Sequence, residues 1–480
     1  MQFHSYAFLL IALPGVTLGF FLLSRMGRRA GQLFLILASL SMYAQGDVRG
    51  IPVLLLSIAG NALLCRVMLR REKLRRAALV SGLVLHIGML LVYKYLGFGT
   101  EIWNRLLGGE LQPPEMYLPL GVSFFTFQQI SYLLDTYHGK TRDNTPLEFL
   151  LYSTYFPKLL MGPIVRQEQL LHQFRQPETY IWNPENGIQG IRRFTLGLFK
   201  KCILADTFSA AAAFVFRDTA SSMELLLAVL AYTFQIYFDF SGYTDMAAGF
   251  SRMLNIRLPQ NFDSPYKAMS MRDFWKRWHM SLTRFFTDYL YIPLGGSRKG
   301  TLWLWCNTLL VFALSGLWHG AGGGFILWGV LNGLLSLSDR YTEKYRMDIH
   351  PAMQWMLTFA VVNVLWLLFQ TGSVEQWLRV LVRIVSLGDT SISDGFLQVF
   401  AKPELEVLFG LPLLHRLRDM TRGLYMLLTY GAAFWICLGC ENTDRRTDSV
   451  SVPGAIGTAL LLAYCLTCLQ TDSIFVYNNF

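Results

Sequence analysis

Two histidines, His279 and His319, are the residues of this sequence best suited to chemistry in apolar surroundings. His279 lies among aromatic and basic residues in RDFWKRWHMSLTRFF, and His319 ends an apolar run and precedes GAGGG. An imidazole has an unperturbed pKa of about 6.5, so it can take a proton from a hydroxyl group near neutral pH. A polar side chain beside a glycine-rich break indicates a cavity open to water or substrate. The pattern alone also allows structural, hydrogen-bonded histidines.

Other catalytic motifs are missing from the sequence, which has no GxSxG elbow, Walker loop or HExxH. Cys437, Cys440, Cys465 and Cys468 form two CxxC pairs, a spacing typical of zinc sites. The twelve residues from Pro453 to Cys465 separate the pairs by roughly 18 Å along a helix. We therefore expect packing cysteines, no metal site and no bound cofactor.

Two elements must position the histidines. Arg272 to Tyr291 has a stripe of aromatic residues at helical spacing, which predicts one amphipathic helix carrying His279. The apolar run from Leu302 to Trp318 predicts a second helix that ends at His319. We expect substrate contacts from three tryptophans, one arginine and two carboxylates near the pair: Trp275, Trp278, Trp318, Arg272, Asp239 and Asp245. The carboxylates could instead hold the helix bundle together, through Arg252 or Arg272.

Composition places these elements in a membrane. Of the 480 residues 53% are hydrophobic and 15% are charged, whereas soluble domains carry about a quarter charged residues. Apolar runs near 6–23, 31–45, 51–69 and 77–96 are each long enough for a crossing. The net charge of +10 is gathered into short loops such as RMGRR, a pattern that indicates cytoplasmic loops rather than nucleic-acid binding. We expect an uncleaved first helix with its N-terminus outside.

The following segments are less regular. Residues 116–139 and 150–166 contain proline, glycine, glutamine and lysine, so we expect tilted or re-entrant segments buried in protein. Further apolar segments cover 187–216, 223–250, 352–370, 404–416, 422–440 and 453–470. We expect residues 371–403 to lie partly at an interface and the aromatic tail SIFVYNNF to pack against the protein. The prediction is an all-α polytopic membrane protein with about eleven crossings, in one domain, 1–480, divided into 1–96, 116–340 and 341–480.

Long motifs resemble the membrane-bound O-acyltransferase family, in its branch for alginate and related polysaccharide O-acetylation. They are PLGVSFFTFQQISYLLDTYHG, YFPKLLMGPIVR, YFDFSGYTDMAAGFSRML, residues 261–300 and LSGLWHGAGGGFILWG. A sister branch transfers D-alanine toward teichoic acids. The resemblance implies a ring of tilted helices around a central funnel, in the bacterial cytoplasmic membrane. His319 matches the histidine whose role is invariant in the family, and His279 matches the second active-site histidine of the branch. Asn332 departs from the family, because many relatives have a histidine there.

The resemblance implies acyl transfer, of acetyl in this branch, from a cytosolic thioester to a hydroxyl group. His319 would take the hydroxyl proton, and His279 would orient the donor or stabilise the oxyanion. The donor would be acetyl-CoA or an acyl carrier protein, and a secreted SGNH-type acetyltransferase would complete the transfer to the polymer. With no nucleophile evident, we expect direct attack rather than an acyl-enzyme. The acceptor stays open. Three alternatives remain: transfer to teichoic acid or a small carrier, a proton-coupled transporter, and a non-catalytic acyl relay.

Overall fold

The computed structural model describes residues 3–112, 114, 116–141, 144–346, 349–401, 418–446, 451–469 and 475–476. This part of the chain is helical and contains no strand, in keeping with the predicted all-α class. Among the described residues, five helices are long and apolar enough to cross a membrane: Ile51–Arg70, Glu72–Leu107, Ser222–Met253, Thr301–His319 and Pro351–Thr371. Two shorter apolar helices cover Phe8–Ser24 and Val452–Thr467.

The N-terminal helices follow the predicted apolar runs. After a π-helical turn at Phe8–Ala12, they are α1 Leu13–Ser24, α2 Arg28–Gly46, α3 Ile51–Arg70, α4 Arg75–Leu90 and α5 Leu96–Leu107. A π-helical turn at Leu91–Tyr95 joins α4 to α5. The last of these helices extends beyond the predicted run 77–96, to Leu107, and carries Glu101 on its exposed surface.

The irregular middle segments are buried in the protein, as predicted. Their helices are α6 Val122–Tyr137, α7 Pro146–Thr154, α8 Phe156–Leu159 and α9 Gln167–Arg175. Their polar side chains bond to one another: Lys158 is fully buried, and its Nζ donates to Gln128 Oε1 at 2.5 Å. Thr145 and Glu148 form a reciprocal cap at the start of α7, which satisfies backbone donors there. A lipid-facing position would leave such groups without these partners.

Two long helices pack closely through glycines at the centre of the chain. Here α10 spans Pro184–Phe199, α11 spans Asp206–Ala212 and α12 spans Ser222–Met253. A Cβ on Gly197 would lie 2.6 Å from the Gly242 carbonyl oxygen, and one on Gly190 would lie 2.6 Å from that of Gly249. Only glycine allows this backbone approach between α10 and α12. Most of α12 is buried, so it forms the spine against which the site elements pack.

Four helices follow α12, and the last two of them pack as a hairpin. They are α13 Met271–Arg277, α14 Met280–Phe286, α15 Thr301–His319 and α16 Gly323–Arg346. The predicted single helix from Arg272 to Tyr291 was wrong, because Trp278 is extended and His279 is left-handed, with φ 44° and ψ 51°. These two residues separate α13 from α14, and a π-helical turn at Thr287–Tyr291 follows α14.

The C-terminal helices agree with the predicted segments where the structure describes them. They are α17 Pro351–Thr371, α18 Val374–Ser386, α19 Asp394–Gln398, α20 Arg418–Phe434, α21 Thr443–Arg446 and α22 Val452–Thr467. The predicted segment 404–416 lies outside the described residues. In the tail, Phe475 is 2% exposed and contacts the ring of Tyr243 at 5.2 Å, which confirms that this residue packs.

Candidate active site

His279 lies at the break between α13 and α14, with 1% of its surface exposed. A left-handed conformation is uncommon for residues with a side chain, and such residues gather at functional sites. The imidazole meets the ring of Phe240 on α12 edge-to-face, with centroids 4.8 Å apart. Neither ring nitrogen has a hydrogen-bond partner among the residues that the structure describes.

Asn261, from the loop after α12, caps the start of α14 and so fixes this break. Its carbonyl oxygen accepts the Met280 N–H at 2.9 Å, and its Oδ1 accepts the Ser281 N–H at 3.2 Å. Oδ1 also accepts the Ser281 hydroxyl at 2.6 Å. The first turn of a helix has unpaired donors, and here a distant asparagine satisfies two of them. A helix interrupted at His279 is therefore stabilised by a residue eighteen positions earlier.

His319 is the last residue of α15, at the tip of the α15–α16 hairpin, and is 4% exposed. Glycines allow the two helices to approach closely below this tip. A Cβ on Gly316 would lie 2.1 Å from the Phe325 carbonyl oxygen, and one on Gly329 would lie 2.2 Å from that of Phe312. Gly324 approaches the Gly372 carbonyl oxygen in the same way, at 2.2 Å. The glycine-rich break thus both ends α15 and packs the hairpin against α17.

Lys94 and Tyr95, in the π-helical turn between α4 and α5, hold the end of α15. Lys94 Nζ donates to the Trp318 carbonyl oxygen at 2.5 Å and lies 3.4 Å from that of His319. The Tyr95 hydroxyl donates to the Leu317 carbonyl oxygen at 2.9 Å. Carbonyl groups at a helix C-terminus lack partners within the helix and carry partial negative charge, which a cation there stabilises. The backbone of the residue that carries the candidate base is therefore held from another helix.

Trp318 brings the two histidines around one indole ring. Its centroid lies 6.5 Å from that of His279 and 4.8 Å from that of His319. Phe127 on α6 stacks on the same indole at 5.1 Å and fixes its orientation. Within the described part of the chain, the Trp318 indole N–H has no hydrogen-bond partner. Buried polar atoms usually have a partner, so this N–H and the His279 imidazole are available to bond a substrate at the point where the two histidines approach each other.

A cavity of about 250 Å³ lies between α14 and α15, one turn away from the two histidines, and neither histidine lines it. It is lined by Trp275, Thr283 and Ser315 among others. Thr283 follows His279 by one helical turn, and Ser315 precedes His319 by one turn. Trp275 donates to Asn332 Oδ1 at 3.2 Å, so the residue that departs from the family pattern orients a wall of this cavity.

The remaining predicted site residues lie apart from the indole. Trp278 is 1% exposed and packs on Trp366 at 4.9 Å, in the aromatic core behind His279. Arg272 lies in the first turn of α13, at the end away from His279, and its guanidinium pairs with Glu343 at 3.2 Å. Substrate contact by these two residues stays a prediction, and the geometry gives each a clear structural contact.

Asp239 and Asp245 on α12 are both in ion pairs. Asp239 accepts from Lys201 at 2.8 Å, and Asp245 accepts from Lys200 at 2.6 Å and from Arg193 at 3.2 Å. The sequence favoured Arg252 or Arg272 as partners, whereas these cations come from α10 and the turn after it. Arg252 donates to Gln189 instead. Because both carboxylates and both lysines are buried, the pairs fix α12 against α10 and the turn after it.

The cysteines are free thiols, and Cys437 and Cys465 are buried. Among the described residues there is no group of three or more His, Cys, Asp or Glu side chains placed to hold a metal ion.

Sequence analysis missed two residues that position the site, Lys94 and Asn261. A lysine within the apolar run 77–96 is itself an indication, since ionisable residues in a membrane helix usually pair or serve a site. The role of Asn261 depends on its hydrogen bonds to the start of α14, eighteen or more positions later in the chain, and no local sequence pattern predicts them.

Comparison with known proteins gives one family and several relatives. The profile of the membrane-bound O-acyltransferase family matches residues 141–377. The chain is 37% identical over 428 residues to the peptidoglycan O-acetyltransferase of Helicobacter pylori, covering 82% of this chain and 81% of that protein. It is 34% identical over 407 residues to the probable alginate O-acetylase AlgI of Pseudomonas aeruginosa, with coverages of 82% and 76%. It is 27% identical over 374 residues to the teichoic acid D-alanyltransferase of Bacillus subtilis, with coverages of 74% and 91%.

Proposed function

The chain belongs to the membrane-bound O-acyltransferase family, and we propose that it moves an acetyl group from a cytosolic thioester to a hydroxyl group of a polysaccharide outside the cytoplasm. It is a membrane protein and an O-acyltransferase. Its identity to the two O-acetylating relatives is 37% and 34%, against 27% for the D-alanyl-transferring relative. This order favours acetyl over D-alanyl as the transferred group. Transfer of D-alanyl or another acyl group to teichoic acid, or to a lipid or small carrier, is the second candidate.

The convergence of His279 and His319 on Trp318 supports this function most directly. The two histidines come from separate helix breaks. Among the described residues, the buried His279 imidazole and the buried Trp318 indole N–H have no hydrogen-bond partner. A thioester carbonyl and an alcohol would supply the missing hydrogen bonds. Apolar walls strengthen each of these interactions, because they exclude water.

In the proposed mechanism, His319 accepts the proton of the acceptor hydroxyl as its oxygen attacks the thioester carbonyl. The C–O bond forms, negative charge develops on the carbonyl oxygen, and a hydrogen bond from His279 stabilises that charge. The C–S bond then breaks, and the thiolate leaves without strong assistance, because an ordinary thiol has a pKa of about 8.5. Lys94 holds the backbone at His319 in place throughout.

Donor and partner follow from the same proposal. The donor is acetyl-CoA or an acyl carrier protein, which presents the thioester from the cytosol. An SGNH-type acetyltransferase outside the membrane completes the transfer where the polymer cannot reach the site. The relatives act, by name, on peptidoglycan, alginate and teichoic acid. Their names support a cell-envelope polymer as the final acceptor.

The proposed architecture is a ring of about eleven tilted helices in the bacterial cytoplasmic membrane, with the N-terminus outside. The basic loops at residues 25–29 and 66–76 support this orientation, because both follow a helix running from the same side. The helices that are too short or too polar to cross alone would complete the ring as tilted or re-entrant segments.

The test is transfer of radiolabelled acetyl from acetyl-CoA or an acetylated carrier protein, in membranes that contain the protein. We expect His319→Ala to lower kcat by about 10²–10⁴-fold and His279→Ala by about 10²–10³-fold. His172→Ala, which replaces an exposed histidine, is the matched control. Wild-type turnover in His319→Ala would reject the base assignment. Proton-driven substrate flux without any acylated product would instead establish a transporter.

A further inference from the structure

Two adjoining cavities lie at the start of α10, and neither is lined by His279 or His319. One is polar, with a volume of about 140 Å³, and lies between α10, the end of α12 and α21. The other is an apolar groove of about 190 Å³ between α10 and α22. Gln189 lines both, so the two cavities meet at this side chain, one with a charged lining and the other with a mainly apolar lining that includes Arg192.

The charged end collects three guanidinium groups. Arg193, Arg252 and Arg257 line it together with one carboxylate, that of Asp444, which pairs with Arg193. Its lining residues therefore carry two more positive than negative charges. Asp245, which also pairs with Arg193, is balanced by Lys200. Like charges gathered in one cavity repel one another, so the arrangement favours an anion.

Arg257 is held in place by its backbone while its side chain stays exposed. Its N–H donates to Gln173 Oε1 at 2.7 Å, and its carbonyl oxygen accepts from Gln173 Nε2 at 3.0 Å. Within the described residues, the guanidinium has no ion pair or hydrogen bond. A fixed backbone and a guanidinium without a protein partner suit recognition of a phosphate group, which arginine binds through two parallel hydrogen bonds.

The apolar end is shaped by small residues on α22 and by isoleucines on α10. Ala455, Ala459 and Leu462 form one wall, and Ile188 and Ile191 form the other. Both isoleucines are 44% exposed, as expected for side chains that face lipid tails. From residue 455 to residue 462, α22 rises about 10 Å, which accommodates a substantial part of an acyl chain.

We propose that this composite site binds one anionic membrane phospholipid, with its phosphate among the three arginines and one acyl chain along the groove. Charge complementarity favours an anionic over a zwitterionic head group, and the continuous apolar groove favours a lipid over a soluble phosphate. The site also lies at the end of the bundle that carries Arg28 and Arg175, where Arg28 donates to the Arg175 carbonyl oxygen at 3.3 Å. Anionic lipids concentrate beside such basic surfaces.

The lipid would brace α10 against α12 and α22. Arg193 pairs with Asp245 on α12, and Arg252 on α12 donates to Gln189 on α10 at 2.6 Å. A phosphate bound to both arginines would join the same two helices a third time. Since α12 also carries Phe240, which packs on His279, this brace acts on a helix that supports the active site.

Native mass spectrometry of the detergent-purified full chain tests the proposal, by titration with phosphatidylglycerol or phosphatidylcholine. We expect one phosphatidylglycerol to bind at least about tenfold more tightly than phosphatidylcholine, the difference made by charge-assisted hydrogen bonds. Arg257→Gln should abolish this preference, and Ala455→Trp, which fills the groove, should weaken both lipids. Arg29→Gln, which replaces another exposed arginine, is the matched control and should change neither.

Each other outcome overturns the proposal. Equal binding of the two lipids, or a preference retained in Arg257→Gln, would remove the phosphate site. Inorganic phosphate or CoA binding as tightly as phosphatidylglycerol would show that the occupant is a soluble anion. Thermal unfolding of each variant is measured alongside. Arg257→Gln breaks no contact among the described residues, so its result stands even if Ala455→Trp fails to fold.

Discussion

Replacing Lys94 with methionine tests whether a residue outside the family-matched region 141–377 positions His319, the proposed catalytic base. The substitution keeps an unbranched side chain of nearly the same length but removes the ammonium group that donates to the Trp318 carbonyl oxygen at 2.5 Å. The Tyr95 bond to the Leu317 carbonyl oxygen remains. The last turn of α15 therefore loses its charged partner while the rest of the helix is unchanged.

The expected effect follows from the energy of that contact. A hydrogen bond from a charged donor contributes about 1.5–3 kcal/mol, and about 1.4 kcal/mol corresponds to a factor of ten. If this energy holds His319 in its reactive position, kcat falls about ten- to a hundredfold. Misplacing a catalytic group by about 1 Å has a cost of similar size, about 10²-fold. KM for the donor should change little, because Lys94 contacts backbone rather than the cavity between α14 and α15.

The assay is the same acetyl transfer in membranes, normalised to the amount of folded protein. Lys94→Arg should recover part of the rate, since a guanidinium can donate to the same carbonyl groups. Lys73→Met, at an exposed lysine before α4, is the control for losing one positive charge. A folded Lys94→Met protein with wild-type kcat would refute the positioning role. A loss that Lys94→Arg does not relieve at all would point to steric damage instead.

Three further outcomes follow from the packing and the charges. Gly316→Ala should lower Tm sharply, because its Cβ would lie 2.1 Å from a carbonyl oxygen of α16. The control, Gly323→Ala, should be tolerated, because a Cβ there meets nothing within 4 Å. Equal Tm values for the two variants would contradict the close approach of the helices. Asp245→Asn should destabilise the protein by about 3–5 kcal/mol, because it leaves the buried Lys200 without its carboxylate and removes one of the two carboxylates that pair with Arg193. Denaturant unfolding measures this, and unchanged stability would mean that the ion pairs contribute little. Burial alone would raise the pKa of Glu148, but hydrogen bonds from Arg175 and Thr145 hold it below its ordinary value of 4.5. That stabilisation is present above the ordinary pKa and is lost as pH falls through the lowered value, so Tm should drop below pH 4.5 and Glu148→Gln should remove this part of the drop.

Hydrophobic period and length were enough to predict most of the membrane helices. The runs 51–69 and 352–370 became α3 and α17 with bounds within two residues. Their apolar faces are continuous, and nothing in their surroundings competes with the helix. Buried polar segments were also predictable in kind, because Gln128 and Lys158 cannot face lipid.

Local pattern failed where a distant residue decides the backbone. The aromatic stripe from Phe274 to Phe286 fits one helix, yet the chain breaks at His279. Asn261 accepts hydrogen bonds from the first backbone N–H groups of α14 and so allows a second helix to start there. The aromatic stripe contains no information about this residue. The predicted cation partners of Asp239 and Asp245 were wrong for the same reason. Arg252 and Arg272 are near in sequence, whereas the observed partners, Lys200 and Lys201, come from the turn after α10.

The histidine pair shows a second limit of prediction from sequence. Its members lie 40 positions apart, and the sequence alone allowed each to be structural. Only the fold shows that Trp318 lies between them and that polar atoms beside them lack partners among the described residues. Proximity across helices is the information that a one-dimensional pattern does not contain.

The packing of Phe475 and Val476 has a consequence for how the protein is made. The Val476 N–H donates to Asp239 Oδ2 at 2.9 Å, and the Phe475 ring lies against Lys201. The last described residues therefore contact the middle of α12. A ribosome reaches these residues only after every other described helix has been translated. Asp239 can pair with Lys201 as soon as α12 packs, but its second oxygen acquires this backbone donor only after residue 476 has been made. A chain cut before residue 475 would therefore leave Asp239 Oδ2 without this donor and Lys201 without the Phe475 ring.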